Sequence, residues 1–386
     1  MFTEFRVTVP DHDLTDLRQR LEARRPVQGS YPDGWKAGTP SDALDRIVRY
    51  WLHSYDWAAA QDRLNSFHQV QGELDGTVLH VIHERGQGPA PFPLLLVHGW
   101  PDSVWRFHKL IPLLTDPGAH GGDPADAFDV IVPGLPGYGW SQARTSKGGA
   151  FGFGDLFAQL MAELGYEQYG AHGGDWGSSI LERLARSHRK HLTGLHLTDV
   201  PFAHAMNPPG DLSRVEQKFI DRNQEFFQEE GAYAAIASTR PMTPAHALND
   251  SPAGLAAWII EKFAEWGDPE RPVEERIGYD DLLTQVMIYW TTGTIATSFQ
   301  PYRDFATANA ARWIQEAAKD KLGAGRTPTA FALFPHDIAT PPREWAERFF
   351  DVQRWTEMPR GGHFAALEEP ELLAADIREF FRSRRQ

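Results

Sequence analysis

Hydrophobic and polar positions follow two kinds of pattern along the chain, and each predicts a different kind of element. Near the N-terminus, Leu14, Leu17 and Leu21 recur at helix spacing, which predicts a helix. From about residue 67 the pattern changes to short apolar runs. The run at residues 94–97 is apolar throughout, as is typical of a central strand buried on both faces. Such runs alternate with helix-spaced segments, which predicts an α/β fold with a mostly parallel sheet and helices on both faces.

The alternation of strands and helices is interrupted once, and this divides the chain into four predicted parts. Residues 1–65 are predicted to form an N-terminal helical arm. Residues 66–198 form the first part of the core, which begins with a hairpin at Asp75-Gly76. Residues 199–327 carry helix patterns and are too many for a loop, so they predict an inserted helical cap. Residues 328–386 return to the strand and helix patterns of the core.

Composition narrows the class of protein. The chain has 386 residues, of which 41% are hydrophobic and 23% charged, as is typical of a globular enzyme. A net charge of −14 argues against nucleic acid or an anionic membrane as a partner. With no cysteine, disulfides and thiol nucleophiles are excluded. The sequence contains no apolar run of membrane-spanning or signal-peptide length, so a cytoplasmic location is predicted.

A glycine-flanked aspartate occupies the predicted turn between a short strand and a helix, in Gly173-Gly174-Asp175-Trp176-Gly177. Such a turn, a nucleophile elbow, needs small neighbours because larger side chains would collide with the adjacent strand and helix. The Asp175 carboxylate is ionised at pH 7, so it can attack saturated carbon and leave an ester on the enzyme. Taken alone, the five residues are equally compatible with a glycine-rich turn that contains an acid by chance.

His363 and Asp337 are the predicted base and acid that act with Asp175. Hydrolysis of an ester needs a base to activate water, and His363 follows two glycines in the loop after the last predicted strand. This order along the chain fits an α/β-hydrolase fold. Asp337 follows the preceding strand, where the carboxylate that orients the histidine belongs. Asp199, after the strand that follows the elbow, is the alternative acid.

Two backbone N–H groups are predicted to bind the oxyanion that forms when water attacks the ester. Trp176 directly follows the nucleophile, and Trp100 lies in the turn 98–101 after a central strand, which could also be an ordinary strand-to-helix turn. The glycines at 134–139 have the wrong order for a dinucleotide site, and the sequence shows no phosphate-binding loop or metal motif. We therefore predict no cofactor and no metal.

These residues together resemble the epoxide hydrolases of the microsomal and juvenile-hormone type over nearly the whole chain. The resemblance rests on the arm and on the motifs at residues 56–57, 64–67, 98–101, 173–177 and 358–366. It implies an α/β-hydrolase fold with Asp175 as nucleophile, Asp337 as acid and His363 as base. It also implies two cap tyrosines, matched by Tyr233 and Tyr302, that hydrogen-bond the epoxide oxygen and protonate it. In one departure, Ala237 stands where the family pattern has glutamine.

The predicted function is therefore hydrolysis of an epoxide to a vicinal diol through an aspartyl ester. A haloalkane dehalogenase with the same Asp-His pair and a non-catalytic binding protein on this fold are the alternatives. The tyrosine pair argues against the first, and the complete set of nucleophile, base and acid argues against the second. We expect a small apolar or aromatic epoxide as the substrate, with Trp140, Ile236 and Ala237 in its pocket. The sequence leaves a homodimer open.

Overall fold

A nine-stranded sheet forms the centre of the computed structural model, which describes residues 1–29, 31–144, 149–306 and 327–385. In chain order the strands are β1 (Thr3–Glu4), β2 (Gln69–Leu74), β3 (Thr77–Glu84), β4 (Phe92–Val97), β5 (Phe128–Pro133), β6 (Tyr169–Gly173), β7 (Leu192–Leu197), β8 (Pro328–Leu333) and β9 (Asp351–Glu357). Their order across the sheet is β1-β2-β3-β5-β4-β6-β7-β8-β9.

The sheet is antiparallel on one side and parallel on the other. Strands β1, β2, β3 and β5 pair antiparallel in that order, whereas all pairs from β5 to β9 are parallel. Alternate side chains of β4 enter different hydrophobic cores, Leu95 and Val97 on one face and Leu94 and Leu96 on the other. This confirms the predicted α/β class. The parallel strands end at one edge, so the loops that follow them meet there.

The predicted hairpin turn at Asp75-Gly76 is present between β2 and β3. Both residues have positive φ, 48° for Asp75 and 71° for Gly76, which suits the right-handed twist of the strands on either side. The N-terminal arm differs from the prediction because it is not wholly helical. Its first residues form β1, which pairs with β2. A two-residue strand carries no alternating pattern long enough to be seen in the sequence.

Helices cover the sheet and build the arm. The arm contains α1 (Asp11–Glu22), α2 (Ser41–His53) and α3 (Trp57–Leu64), and the first part of the core adds α4 (Leu110–Thr115), α5 (Phe153–Glu163) and α6 (Trp176–His188). After β8 the described helices are Arg343–Glu347, Ala365–Glu368 and Pro370–Arg382.

A series of helices lies between β7 and β8, where the cap is predicted. Within the described part of this segment they are α7 (Ala203–Met206), α8 (Arg214–Glu229), α9 (Ala232–Thr239), α10 (Met242–Asp250), α11 (Pro252–Glu265), α12 (Val273–Arg276), α13 (Tyr279–Thr292), α14 (Ile295–Ser298) and α15 (Gln300–Phe305). Residues 307–326 of the predicted cap lie outside the described residues. Among the helices of the described ranges, none has both the length and the apolar character needed to cross a bilayer.

Candidate active site

The elbow at Asp175 joins β6 to α6 through a strained backbone. Asp175 has φ 57° and ψ −130°, a conformation that side-chain-bearing residues rarely adopt. Its glycine neighbours are required by close approach. A Cβ on Gly177 would lie 2.2 Å from the carbonyl oxygen of Val97, and one on Gly174 would lie 2.2 Å from Oγ1 of Thr198. The predicted sequence pattern therefore has a steric cause.

The carboxylate of Asp175 lies against the loop that follows β4. The N–H of Trp100 donates to its Oδ1 at 2.8 Å, and the N–H of Trp176 also interacts with the carboxylate. A Cβ on Gly99 would lie 2.2 Å from the same Oδ1, so this loop tolerates only glycine there. Burial alone would raise the pKa of Asp175, but His363 and the two N–H groups hold it below the ordinary value.

His363 bridges two carboxylates. Its Nε2 lies 3.5 Å from Oδ2 of Asp175, and its Nδ1 lies 2.7 Å from Oδ1 of Asp337. The residue is 3% exposed, and its backbone is held by a hydrogen bond of 2.9 Å from its N–H to the carbonyl of Trp266. Burial acts to lower the pKa of His363, but the two carboxylates raise it to about 10. At neutral pH the ring is therefore an imidazolium.

The structure brings Asp337, rather than Asp199, to the imidazole. Asp199 instead receives the N–H of Asp175 on its Oδ2 at 2.6 Å and so supports the strained elbow. Burial and the charge of Asp337 raise the pKa of Asp199 to about 7. The sequence-based preference for Asp337 thus agrees with the geometry, and Asp199 has a different place in the same site.

Tyr233 on α9 and Tyr302 on α15 line the same cavity as Asp175 and His363. The ring of Tyr233 stacks on that of Trp100, with centroids 5.1 Å apart and an interplanar angle of 5°. Tyr302 meets Tyr233 edge to face at 5.7 Å and Trp176 at 5.1 Å. Burial and the charge of Asp175 raise the pKa of both tyrosines above the ordinary value, so both keep their protons at neutral pH.

The cavity has a volume of about 730 Å³. Most of its wall comes from the cap and is apolar, with Phe202, Met206, Phe219, Phe226, Phe227, Ala234, Ala235 and Phe305. The α8 members recur at helix spacing, a signal that could have placed them on one face before the structure was known. Such a wall favours an apolar guest over a charged one.

The three predicted pocket residues do not line this cavity. Trp140 packs against Phe5 and His80, at 6.1 and 5.2 Å between centroids, and lines a separate surface depression beside the arm. Ile236 points to solvent and is 40% exposed, whereas Ala237 is buried outside the cavity. Ile236 and Ala237 lie outside the cavity because the pitch of α9 turns Ala234, Ala235 and Ser238 towards it instead.

Helix α13 holds the loop that carries Trp100, a contact that the sequence did not predict. Nε2 of Gln285 donates to the carbonyl of Pro101 at 2.8 Å, and Oγ of Ser103 donates to Oε1 of Gln285 at 2.8 Å. The hydroxyl of Tyr289 donates to the carbonyl of Asp102, also at 2.8 Å. The loop that carries the N–H of Trp100 is therefore positioned by the segment between β7 and β8.

His98, at the start of this loop, has a structural place. Its Nδ1 lies 3.0 Å from the carbonyl of Gly99, and its Nε2 receives the N–H of Leu135 at 3.1 Å. Burial lowers the pKa of His98 to about 4, so the ring is neutral and its two nitrogens have fixed roles as donor and acceptor. The ring thus connects the β4 loop to the β5 loop.

Two models of known protein families match this chain, one over its N-terminal part and one over its middle part. A family model described as epoxide hydrolase N terminus matches residues 2–107, and a model described as alpha/beta hydrolase fold matches residues 93–271. The first match covers the arm and extends to the β4 loop. The second covers the elbow and much of the cap.

Individual relatives match over nearly the whole chain. A putative epoxide hydrolase of Stigmatella aurantiaca is 40% identical over 99% of this chain and 85% of its own length. Epoxide hydrolase 1 of Oryctolagus cuniculus is 36% identical, over 97% of this chain and 88% of its own. Among solved structures, the juvenile hormone epoxide hydrolase of Bombyx mori has a TM-score of 0.83 at 29% identity, covering 100% of this chain and 94% of its own. The Aspergillus niger epoxide hydrolase has a TM-score of 0.85 at 29% identity, with 99% and 96% covered.

Proposed function

This chain belongs to the epoxide hydrolases, and from that premise we propose that its site opens an epoxide through an ester on Asp175 and then hydrolyses the ester. One observation carries the proposal. The Asp175 carboxylate lies between the N–H of Trp100 and the imidazole of His363, and Tyr233 and Tyr302 line the same apolar cavity. A nucleophile, a base and two acids therefore meet in one enclosed space.

In the first step, a carboxylate oxygen of Asp175 attacks an epoxide carbon. A carbon–oxygen bond of the ring breaks as the ester bond forms, and the released alkoxide takes a proton from Tyr233 or Tyr302. Either tyrosine can serve because both are protonated at neutral pH and both face the cavity. The imidazolium of His363 then returns a proton to the tyrosinate.

In the second step, His363 acts as a base. Formation of the ester removes the charge of Asp175, which is one of the two carboxylates that raise the pKa of His363, while burial continues to lower it. The neutral ring takes a proton from water, and the resulting hydroxide attacks the ester carbonyl. The N–H groups of Trp100 and Trp176 hold the oxyanion. The leaving alkoxide takes the proton from His363, and the carboxylic acid of Asp175 then reprotonates the ring, which restores the resting charges.

The proposed substrate is a small apolar or aromatic epoxide. The aromatic and aliphatic side chains of the cap wall support this choice, since they offer few partners to a charged group. Asn223 and Ser238 are among the few neutral polar side chains on this wall.

The test is the intact mass of His363→Gln after mixing with styrene oxide. This variant should form the ester without hydrolysing it, so the mass should rise by that of the whole epoxide. The same experiment with Asp175→Asn is the control and should show no rise. A chloroalkane serves as the second probe. An adduct from the chloroalkane alone, with halide released, would contradict the proposed epoxide chemistry.

A further inference from the structure

A buried lysine lies behind Tyr233, on the side away from the cavity. Lys262 on α11 is 4% exposed and does not line the cavity. Its ammonium nitrogen lies over the ring of Tyr233, 4.7 Å from the centroid, and 5.7 Å from the centroid of Trp266. These distances fall within the range of a cation–π interaction, which strengthens when the cation is removed from water.

Two carboxylates hold this ammonium group in place. Nζ of Lys262 lies 2.7 Å from Oε2 of Glu261 and 3.3 Å from Oε2 of Glu230. Glu265 lies one helical turn beyond Glu261, and burial together with the charges of Glu230 and Glu261 raises the pKa of Glu265. The cluster thus places one cation close to the tyrosine ring, with acidic groups around it.

The position of the cation matters because of what happens to Tyr233 in ring opening. When a phenol gives up its proton, the negative charge that develops is shared between the oxygen and the ring. A cation over the ring therefore interacts more strongly with the developing phenolate than with the phenol. An interaction that strengthens towards the transition state raises the rate of the step. The charges of Glu230 and Glu261 act in the opposite direction.

We infer that Lys262 is a positioning residue that promotes proton donation by Tyr233, and that Glu230 and Glu261 oppose this effect. The inference rests on the proposed role of Tyr233 as an acid. The charged and titratable groups around this tyrosine include Asp175 and His363 across the cavity, Tyr302 beside it, and Lys262, Glu230 and Glu261 behind it. The last three do not face the reacting atoms, so their effect is electrostatic and passes through the tyrosine.

The first test uses the opposite effects that the lysine and the glutamates of this cluster are expected to have on proton donation by Tyr233. Single-turnover mixing with styrene oxide, followed by intact-mass detection, measures the rate of ester formation. We expect Lys262→Met to lower this rate about tenfold. We expect Lys262→Arg to keep most of the rate, and Glu261→Gln to keep or raise it. Lys218→Met, at an exposed position of α8, is the matched control. A loss in both Lys262→Met and Glu261→Gln would overturn the inference, because a purely structural role predicts it.

A double-mutant cycle with Tyr233→Phe provides the second test. Phenylalanine keeps the ring but has no proton to donate, so Lys262→Met should leave the residual rate of ester formation unchanged in that background. An equal fold-loss in both backgrounds would overturn the inference. If Tyr233→Phe itself forms the ester at the full rate, the proposed acid fails instead, and the two failures are thereby distinguished.

Folding of the variants is checked by thermal unfolding. Because Lys262→Met leaves two carboxylates without their cation, the loss of the lysine is also measured in a background with one carboxylate fewer. The two proteins compared are the single variant Glu261→Gln and the double variant Lys262→Met/Glu261→Gln. The same fold-loss is expected from loss of the lysine in this pair, and no loss would overturn the inference.

Discussion

Asp199 shows how a single carboxyl group can serve a site at a cost in stability. It accepts the N–H of Asp175 at 2.6 Å, and burial and the charge of Asp337 raise its pKa from 3.8 to about 7. The folded protein therefore binds a proton on Asp199 more tightly than the unfolded chain does. Between about pH 4 and pH 7 this contribution to stability falls as the pH rises, and above pH 7 the ionised group is unfavourable in the folded state.

Asp199→Asn should therefore raise the melting temperature at pH 8 by about 2 °C and leave it nearly unchanged at pH 4. The amide oxygen can still accept the N–H of Asp175 without carrying a charge. Differential scanning calorimetry at the two pH values measures the effect, and Asp62→Asn at an exposed position of α3 is the control. A lower melting temperature than wild type at pH 8 would contradict the expected sign.

The residues that could be predicted from the sequence share a local cause. Asp175 stands among glycines that sterics require, and His363 and Asp337 follow strands whose patterns are clear. The position of the Trp140 side chain depends instead on which other element of the fold packs against its loop. Trp140 packs against Phe5 of the N-terminal arm, and no pattern within its own loop indicates that contact.

At the scale of elements, α13 connects the segment between β7 and β8 to the loop after β4, which carries Trp100. Its Gln285 donates a hydrogen bond to the carbonyl of Pro101 and accepts one from the hydroxyl of Ser103. Both residues lie in the loop that carries Trp100. Gln285 is fully buried, so water cannot replace these bonds. Movement of the turn would displace the N–H of Trp100 from the carboxylate of Asp175, where it is proposed to bind the oxyanion.

Gln285→Met keeps the volume of the side chain and removes both hydrogen bonds. We expect hydrolysis of the ester to slow about tenfold, less than the loss of an oxyanion donor outright, because the N–H is displaced rather than deleted. Single-turnover decay of the ester measures the rate. Thr291→Ala on the same helix is the control, since its hydroxyl bonds only within the helix, to the carbonyl of Met287. Equal rates in the two variants would exclude a role for Gln285.

Element prediction succeeded where the pattern was clear and failed where the element was too short to show one, as in β1. The segment from β6 to α6 was predicted because strand, glycines and helix follow one another within a few residues. The first residues of helix α10 are flanked and interrupted by Pro241 and Pro244, and prolines at such spacing make a helix harder to recognise in a sequence. Both prolines lie at the start of the helix, where the backbone N–H groups have no partner within the helix and proline is tolerated.

At the scale of the whole molecule, buried ion pairs join α13 to the core. Oδ2 of Asp281 lies 2.7 Å from Nζ of Lys109, and Oδ1 lies 3.1 Å from Nε2 of His108. Burial acts to raise the pKa of Asp281, but His108 and Lys109 lower it to about 2. The stability from this group is therefore fully present above about pH 4 and is lost as the pH falls towards 2.

Asp281→Asn should lower the free energy of unfolding at pH 7 by about 2 kcal/mol and should make stability less dependent on pH between 4 and 2. Urea denaturation at pH 7 and at pH 3 measures both effects. Asp221→Asn, at an exposed position of α8, is the control and should change neither. If the stability of Asp281→Asn depended on pH as that of the wild type does, the loss of stability in acid would come from other ionisable groups than Asp281.

The contacts of α13 also decide which parts of this chain can be exchanged with those of a relative. Helices α8 and α9 supply much of the wall of the cavity, so they are the segment to transplant when a different substrate range is wanted. Helix α13 is bound to the β4 loop through Gln285 and Tyr289 and to the core through Asp281. In a chimaera, α13 should therefore come from the same parent as the catalytic loops, and the crossover belongs before it in the chain.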